Sequence, residues 1–353
     1  MIGGHASPED TRNYGNRFPA QGAAGFYRTA DDLTVSSLGI GTYLGERNAE
    51  TDQNYVQAVE VAVAGGVNLI DTSLNYRHQR SERAVGRAIT NLVASGAVAR
   101  EELVVCTKAG FLTPGAVPPR DADEPPPVGG VHCMTPGFLR HQASRSRDNL
   151  QLATIDVFYL HNPETQLQFV SEEDVYRRIG EAFQCLEEMV GAGWIRVYGT
   201  ATWNAFREQP GNGKGLSLGR LIELAWVAGG SDHHFRFIQL PLNLAMPEGF
   251  SRRWERGENG PSSVLELARS AGIAVVASAT LLQGRLTAGL PEKIAELMSE
   301  TGTDAERAIQ FTRSTPGVTT ALVGMSHAAH VRANLRIATI PPLAPDVYQE
   351  FYR

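Results

Sequence analysis

Eight short apolar runs punctuate the chain, at Leu38–Tyr43, Asn68–Thr72, Leu103–Thr107, Ile155–His161, Ile195–Thr200, Phe237–Leu242, Ala274–Ser278 and Thr320–Val323. They are rich in Val, Ile and Leu and nearly continuous in hydrophobicity, as strands buried on both faces must be. Amphipathic segments separate them. Asn54–Ala64 carries Tyr55, Val56, Val59, Ala62 and Val63 on one stripe, and Glu82–Ala94 carries Val85, Ile89 and Leu92. Helical patterns follow at Phe138–Leu150, Val175–Ala192, Leu218–Val227, Ser262–Ala271 and Ala305–Thr315. Gly65-Gly66, Gly191–Gly193 and Gly272 stand at or just past helix ends, where a left-handed cap favours glycine. Strand and helix in alternation imply a parallel sheet. Eight strands make a closed α/β barrel, the (β/α)8 TIM barrel, the first expectation. An open doubly wound sheet is the second, because periodicity does not prove closure.

The flanks and loops complete the outline. Residues 1–25 read as a flexible N-terminal arm, and residues 26–353 as a single barrel domain. Phe26-Tyr27-Arg28 and Leu33–Ser36 flank Asp31-Asp32 and predict a hairpin. Two segments break the rhythm: the proline-rich stretch Phe111–Pro136 after the third run and the Gly-rich stretch Trp203–Leu216 after the fifth. Loops that long in a compact domain are usually functional or disordered. After a barrel strand they belong to the C-terminal face, so Phe111–Pro136 is expected to wall a substrate pocket.

Charge and composition narrow the function. At 353 residues, with 42% hydrophobic and 20% charged residues, the chain has the makeup of a globular protein with a large core. Lys plus Arg is 32 against 38 Asp plus Glu, a net charge of −6, which argues against a nucleic-acid partner. Cys106, Cys133 and Cys185 are far apart and form no C-x-x-C pair, so neither a zinc ribbon nor a disulfide framework is expected, and a reducing compartment fits. His233-His234 and His327/His330 lack an acidic or cysteine set, so no metal is expected. Without a signal peptide or a long apolar run, the expected location is cytoplasmic, with no membrane partner. The oligomeric state stays open.

In a (β/α)8 barrel the active site lies at the strand C-termini. The second run ends near Asp71, with Tyr76 five residues on; the third ends in Thr107-Lys108 and the fourth in His161-Asn162. Taken alone, Asp71 reads as a helix-turn cap, Tyr76 as rim packing and His161 as a core histidine. Lys108 is harder to dismiss, because a buried lysine needs a partner. Together, at equivalent places on consecutive strands, the four suit proton transfer to a carbonyl oxygen. A lysine ammonium lowers the pKa of a nearby tyrosine, a carboxylate holds the lysine, and a histidine orients the substrate oxygen. No side chain here is a reductant, so hydride must come from a cofactor such as NAD(P)H.

The motifs Gly66-Val67-Asn68-Leu69-Ile70-Asp71-Thr72-Ser73 with Tyr76, Ser81-Glu82 and Gly86, then Cys106–Gly110, then Asp156–Glu164, resemble the aldo-keto reductase signatures, and the resemblance runs from about Phe26 to Leu335. It implies a (β/α)8 barrel that binds NADP(H) or NAD(H) and reduces aldehydes and ketones, with Asp71, Tyr76, Lys108 and His161 as the catalytic set. The cofactor positions are less faithful. The Ser-Asn pair of the family falls on Ala201 and Thr202, with Asn204 able to take the amide role. Gln239 matches the second carboxamide partner. The stacking aromatic falls on Ser278, which leaves that face to Trp203 or Leu281. The phosphate end resembles the family at Gly324, Ser326 and Asn334, with His330 where arginine or glutamine is usual; Ser326 as a simple helix N-cap is the plainer alternative. Arg332 and Arg285 are further candidates for phosphate, and Trp203, Tyr43 and Phe111 for an apolar pocket or for rim packing.

The implied function is NAD(P)H-dependent reduction of a small carbonyl or sugar substrate, with NADP(H) favoured over NAD(H). The alternatives are a sugar dehydrogenase working in the oxidative direction and a nicotinamide-binding redox-sensor subunit with little turnover.

Overall fold

A computed structural model describes residues 1–119, 124–258 and 260–352. Helices α1 (Pro8–Asn16) and α2 (Pro19–Ala23) precede a hairpin of β1 (Tyr27–Ala30) and β2 (Leu33–Ser36). Then come β3 (Leu38–Gly41), α3 (Ala49–Ala64), β4 (Leu69–Asp71), α4 (Arg80–Ala94), β5 (Val104–Ala109), α5 (Pro136–Leu150), β6 (Ile155–His161), α6 (Glu172–Gly191), β7 (Ile195–Ala201) and α7 (Leu218–Gly229). The chain continues through β8 (Phe235–Pro241), α8 (Glu248–Ser251), a small hairpin of β9 (Glu255–Gly257) and β10 (Gly260–Ser262), α9 (Val264–Ser270), β11 (Ala274–Ser278), α10 (Glu292–Leu297), α11 (Asp304–Ser314), β12 (Thr320–Gly324), α12 (Ala328–Asn334) and α13 (Pro345–Gln349). Strands β3 to β8, β11 and β12 pair in parallel and close into an eight-stranded barrel. The eight apolar runs are these strands, displaced by at most a few residues at their ends.

Alternation along each strand divides the core in two. Residues facing the helices, such as Val105, Phe158, Leu160 and Ile238, join one large cluster. Residues facing the axis, Leu69, Val104, Cys106, Val157, Tyr159 and Phe237 among them, form a second cluster inside the barrel. One step further along the same inward rows, two residues on, stand Asp71, Lys108, His161 and Gln239. The strand period thus carries these polar groups to the top layer of the interior.

The flexible arm expected over residues 1–25 is corrected by the structure. Ser7 caps α1, its Oγ accepting from the Asp10 N–H at 3.1 Å, and Pro8 occupies the first turn. Tyr14 is buried and its hydroxyl donates to the Val63 carbonyl at 2.5 Å. Ala6, buried, donates its N–H to Asp156 Oδ1 at 2.6 Å at the start of β6. Ala6 shares the interior cluster with Ala30, Leu33 and Val35 of the hairpin, so arm and hairpin together close the end of the barrel opposite the polar layer. Burial of Tyr14 and pairing of these N–H groups are the physical reason that the segment folds.

Candidate active site

Tyr76 is aimed at the polar layer by an unusual turn. Arg77, His78 and Gln79, directly after it, all take left-handed backbone angles (φ 50°, 55° and 71°). Each costs a non-glycine residue about 1–2 kcal/mol. The turn is stapled from both sides. Buried Arg77 pairs with Asp52 at 2.6 Å and donates Nε to the Glu46 carbonyl at 2.8 Å, and Gln79 Nε2 donates to the Pro114 carbonyl at 2.6 Å. Strain concentrated next to a chemically capable side chain is typical of functional sites.

The four expected residues meet. Lys108 Nζ lies 2.5 Å from Asp71 Oδ1 and donates to the Thr72 carbonyl at 2.8 Å. The other Asp71 oxygen accepts from Gln239 Nε2 at 2.8 Å. The Lys108 ammonium sits 5.0 Å from the Tyr76 ring centroid, and the Tyr76 and His161 rings meet edge to face at 6.0 Å. Ser73 Oγ is 3.3 Å from His161 Nδ1.

Burial governs the charges. It acts most strongly on Lys108, downward, but Asp71 and Tyr76 together outweigh it and hold the ammonium above its usual 10.5. Burial raises the Asp71 carboxyl, and Lys108 and Gln239 draw it partly back. Tyr76 is the instructive case. Enclosure raises its hydroxyl above 10, Lys108 pulls it down, and enclosure wins. The lysine does lower the phenol, as the sequence argument requires, but only against a larger opposing effect, so the hydroxyl keeps its proton at neutral pH. His161 is driven well below 6.5, by burial first and then by Lys108 and His132, and stays neutral.

A cavity of about 1000 Å³ opens above this layer and runs from Tyr76 and Trp203 to α12. At one end its wall includes Tyr43, Leu44, Phe111, His161 and Trp203. The other end includes Gly324, Ser326, His330, Asn334 and Arg336.

Residues 37–209 match the family model described as Aldo/keto reductase family. Over this stretch the chain belongs to the aldo/keto reductase family. It is 28% identical over 182 residues to the NADH-specific methylglyoxal reductase of Escherichia coli (strain K12), covering 49% of this chain and 50% of that protein. The chain spans about half the length of the first curated relatives it matches. In fold it is similar to an aldo/keto reductase from Klebsiella pneumoniae solved in complex with NADP and acetate (TM-score 0.64, 20% identity, 92% of this chain and 93% of that one). It is also similar to the glycerol dehydrogenase of Gluconobacter oxydans (TM-score 0.67, 20% identity, 93% and 94%).

Seven of the eight residues expected to bind a cofactor line the same cavity: Thr202, Gln239, Leu281, Gly324, Ser326, His330 and Asn334. Asn204 does not. Its side chain is exposed, and its backbone N–H is held by Glu164 Oε1 at 3.0 Å, which turns the residue away. Ser326 is not the cap of α12, because His327 occupies that position. Arg332 and Arg285 lie off the cavity wall. The cation that reaches it is Arg336, a full helical turn beyond Arg332, paired with Glu306 at 3.4 Å. Of the described part of Phe111–Pro136, Phe111 is the residue that lines the cavity; residues 120–123 lie outside the described residues.

The wall suits an extended dinucleotide. Gly324 and Gly284 face open space, with nothing within 4 Å of where a Cβ would lie. The Thr280 hydroxyl is buried in the wall without a partner among the described residues. Gln239, its Nε2 committed to Asp71, keeps Oε1 as an acceptor for an amide. Ala279, Leu282 and Gln283, after β11, again adopt left-handed angles beside this wall. Among the described residues no cluster could hold a metal ion, and no helix is long and apolar enough to cross a membrane.

Proposed function

We propose that this chain is a nicotinamide-dependent carbonyl reductase in which Tyr76 donates the proton to the substrate oxygen. The observation that carries the reading is Tyr76 in the cavity wall, its ring 5.0 Å from the Lys108 ammonium and 6.0 Å from the His161 ring, beside the buried Lys108–Asp71 pair. When bound, the reduced cofactor supplies the hydride taken up by the carbonyl carbon. Thr202, Gln239 and Leu281 would hold its nicotinamide half, and Gly324, Ser326, His330, Asn334 and Arg336 its phosphate half.

The protein supplies the proton and the field. His161, neutral, has its Nε2 unclaimed among the described residues and orients the carbonyl oxygen toward Tyr76. As the oxygen gains charge, the Tyr76 O–H bond breaks and the oxygen takes the proton. The phenolate left behind is stabilised by the Lys108 ammonium, itself anchored by Asp71. A donor must be protonated before the step, and enclosure keeps Tyr76 so. Run in reverse, the same site would oxidise an alcohol with Tyr76 as the base.

NADP(H) is the assigned cofactor in preference to NAD(H), on the guanidinium of Arg336 at the far end of the cavity. The relatives differ here: the Klebsiella structure contains NADP, and the Escherichia coli reductase is NADH-specific. Fluorescence titration of the purified chain with NADPH and with NADH, followed by turnover on aldehydes, ketones and sugars, tests the reading. Tight NADPH binding with carbonyl-dependent oxidation supports it. Absence of binding by either nucleotide overturns it.

A further inference from the structure

A second histidine, His132, lies directly behind His161. It comes from the segment between β5 and α5, far in sequence from the strand end it meets, and it is fully buried. Its Nε2 lies 2.7 Å from the His161 carbonyl oxygen. A carbonyl only accepts, so Nε2 carries the hydrogen. Its Nδ1 lies 3.1 Å from Gln166 Nε2, and Gln166 Oε1 accepts from Arg178 Nη1 at 2.7 Å. Because arginine only donates, this bond fixes which end of the amide faces His132. The whole line is therefore polarised one way, from Arg178 through Gln166 and His132 to His161. Burial holds His132 down to about 4, so the neutral form that this line requires is the one present at neutral pH.

The ring of His132 also packs. Phe111 meets it edge to face at 5.1 Å and meets the His161 ring in the same manner at 5.1 Å. The approach depends on Gly110, where a Cβ would lie 2.7 Å from His132 Nε2 and 2.8 Å from the His161 oxygen. Gln142, buried on α5, accepts from the Gly110 N–H at 3.1 Å and donates to the Phe111 carbonyl at 2.9 Å. One buried imidazole thus grips the backbone of His161 and, through Phe111, the face of its ring.

We propose that His132 is a positioning residue, holding the His161 ring and the Phe111 wall of the cavity in the geometry that carbonyl reduction requires. This rests on the proposed reductase reading. His132 touches neither substrate nor cofactor, so it acts through His161 and Phe111.

The test compares full-length wild type, His132→Phe and His132→Gln, with 4-nitrobenzaldehyde as probe and NADPH as reductant. Phenylalanine keeps the ring but removes the donor. Glutamine restores a donor with similar reach. His132→Phe is expected to lower kcat/KM about 10- to 100-fold, the scale of a misplaced catalytic group, with NADPH affinity unchanged. His132→Gln is expected to recover most of the loss. A merely structural role would lower the melting temperature of both variants without this split. His132→Phe turning over like wild type, or His132→Gln as impaired as His132→Phe, overturns the proposal. Histidine-selective NMR of the cofactor-free chain decides independently of turnover. The His161 ring resonance is expected to move in His132→Phe and return in His132→Gln; an unmoved resonance overturns the proposal. Wild type inactive on the whole carbonyl panel would sink the reductase reading instead, and the NMR comparison would still judge whether His132 sets the His161 ring.

Discussion

Replacing Asp71 with asparagine isolates the pair on which the site is built. The Lys108 side chain has no solvent exposure and that of Asp71 is 4% exposed, with 2.5 Å between charged atoms. Asp71→Asn nearly preserves shape but removes the countercharge, leaving Lys108 with neutral acceptors such as the Thr72 carbonyl. Removing one member of a buried ion pair costs about 3–5 kcal/mol, because the other charge stays buried. An unfolding entropy of about 2.1 cal/mol/K per residue gives roughly 0.7 kcal/mol/K for a chain of this length. The melting temperature should therefore fall by about 4–7 °C.

The pH dependence carries a sign. In the wild type Lys108 is held above 10.5, so its stabilisation is complete below that pH and is lost as pH climbs through the higher folded value. In the variant burial is left as the dominant influence, and the folded value drops below 10.5. Stability then increases with pH as the buried ammonium releases its proton. Thermal unfolding followed by circular dichroism from pH 7 to 10 should show the gap between the two proteins narrowing. A loss below about 1 kcal/mol, with a gap independent of pH, would refute a charged Lys108 held by Asp71.

His78 is exposed at φ 55°, so His78→Gly should relieve about 1–2 kcal/mol of strain against roughly 0.5–1 kcal/mol of added chain entropy, raising the melting temperature by about 1 °C in calorimetry. Buried His132, depressed from 6.5 to about 4, contributes stability that is full above pH 6.5 and lost as pH falls toward 4, about 3 kcal/mol in all; denaturant titrations across that window should show the decline, with buried His161 adding in the same direction. Arg336→Ala should weaken NADPH binding about tenfold, the equivalent of ~1.4 kcal/mol, and leave NADH binding unchanged in fluorescence titrations.

The barrel was legible because its strands are buried on both faces, and such strands announce themselves as unbroken apolar runs. The polar layer of the candidate site was legible for a related reason: Asp71, Lys108 and His161 end inward-facing rows, where a polar residue interrupts an otherwise apolar alternation. The N-terminal helix was missed although Ser7, Pro8, Glu9 and Asp10 spell an N-terminal cap, proline in the first turn and acidic residues to match the dipole. Its polar composition outweighed that local signal, and the contact that buries Tyr14 lies in the α3–β4 segment, distant in the chain. Asn204 stands off the cavity wall, its backbone N–H held by Glu164, forty residues earlier, a contact that no local pattern signals. His132 is invisible to periodicity: it sits in an irregular, proline-rich segment, and its role depends on a strand end it reaches only after folding.

Carbonyl reduction by this site depends on the Tyr76 hydroxyl. Tyr76→Phe keeps the ring that packs against Tyr43 and His161 and removes only the proton it would donate. Steady-state reduction of 4-nitrobenzaldehyde by NADPH should slow on the order of 10²- to 10⁴-fold, the range for a positioned general acid, while NADPH affinity holds. Full turnover by Tyr76→Phe would rule out Tyr76 as the donor and require another proton source in the cavity.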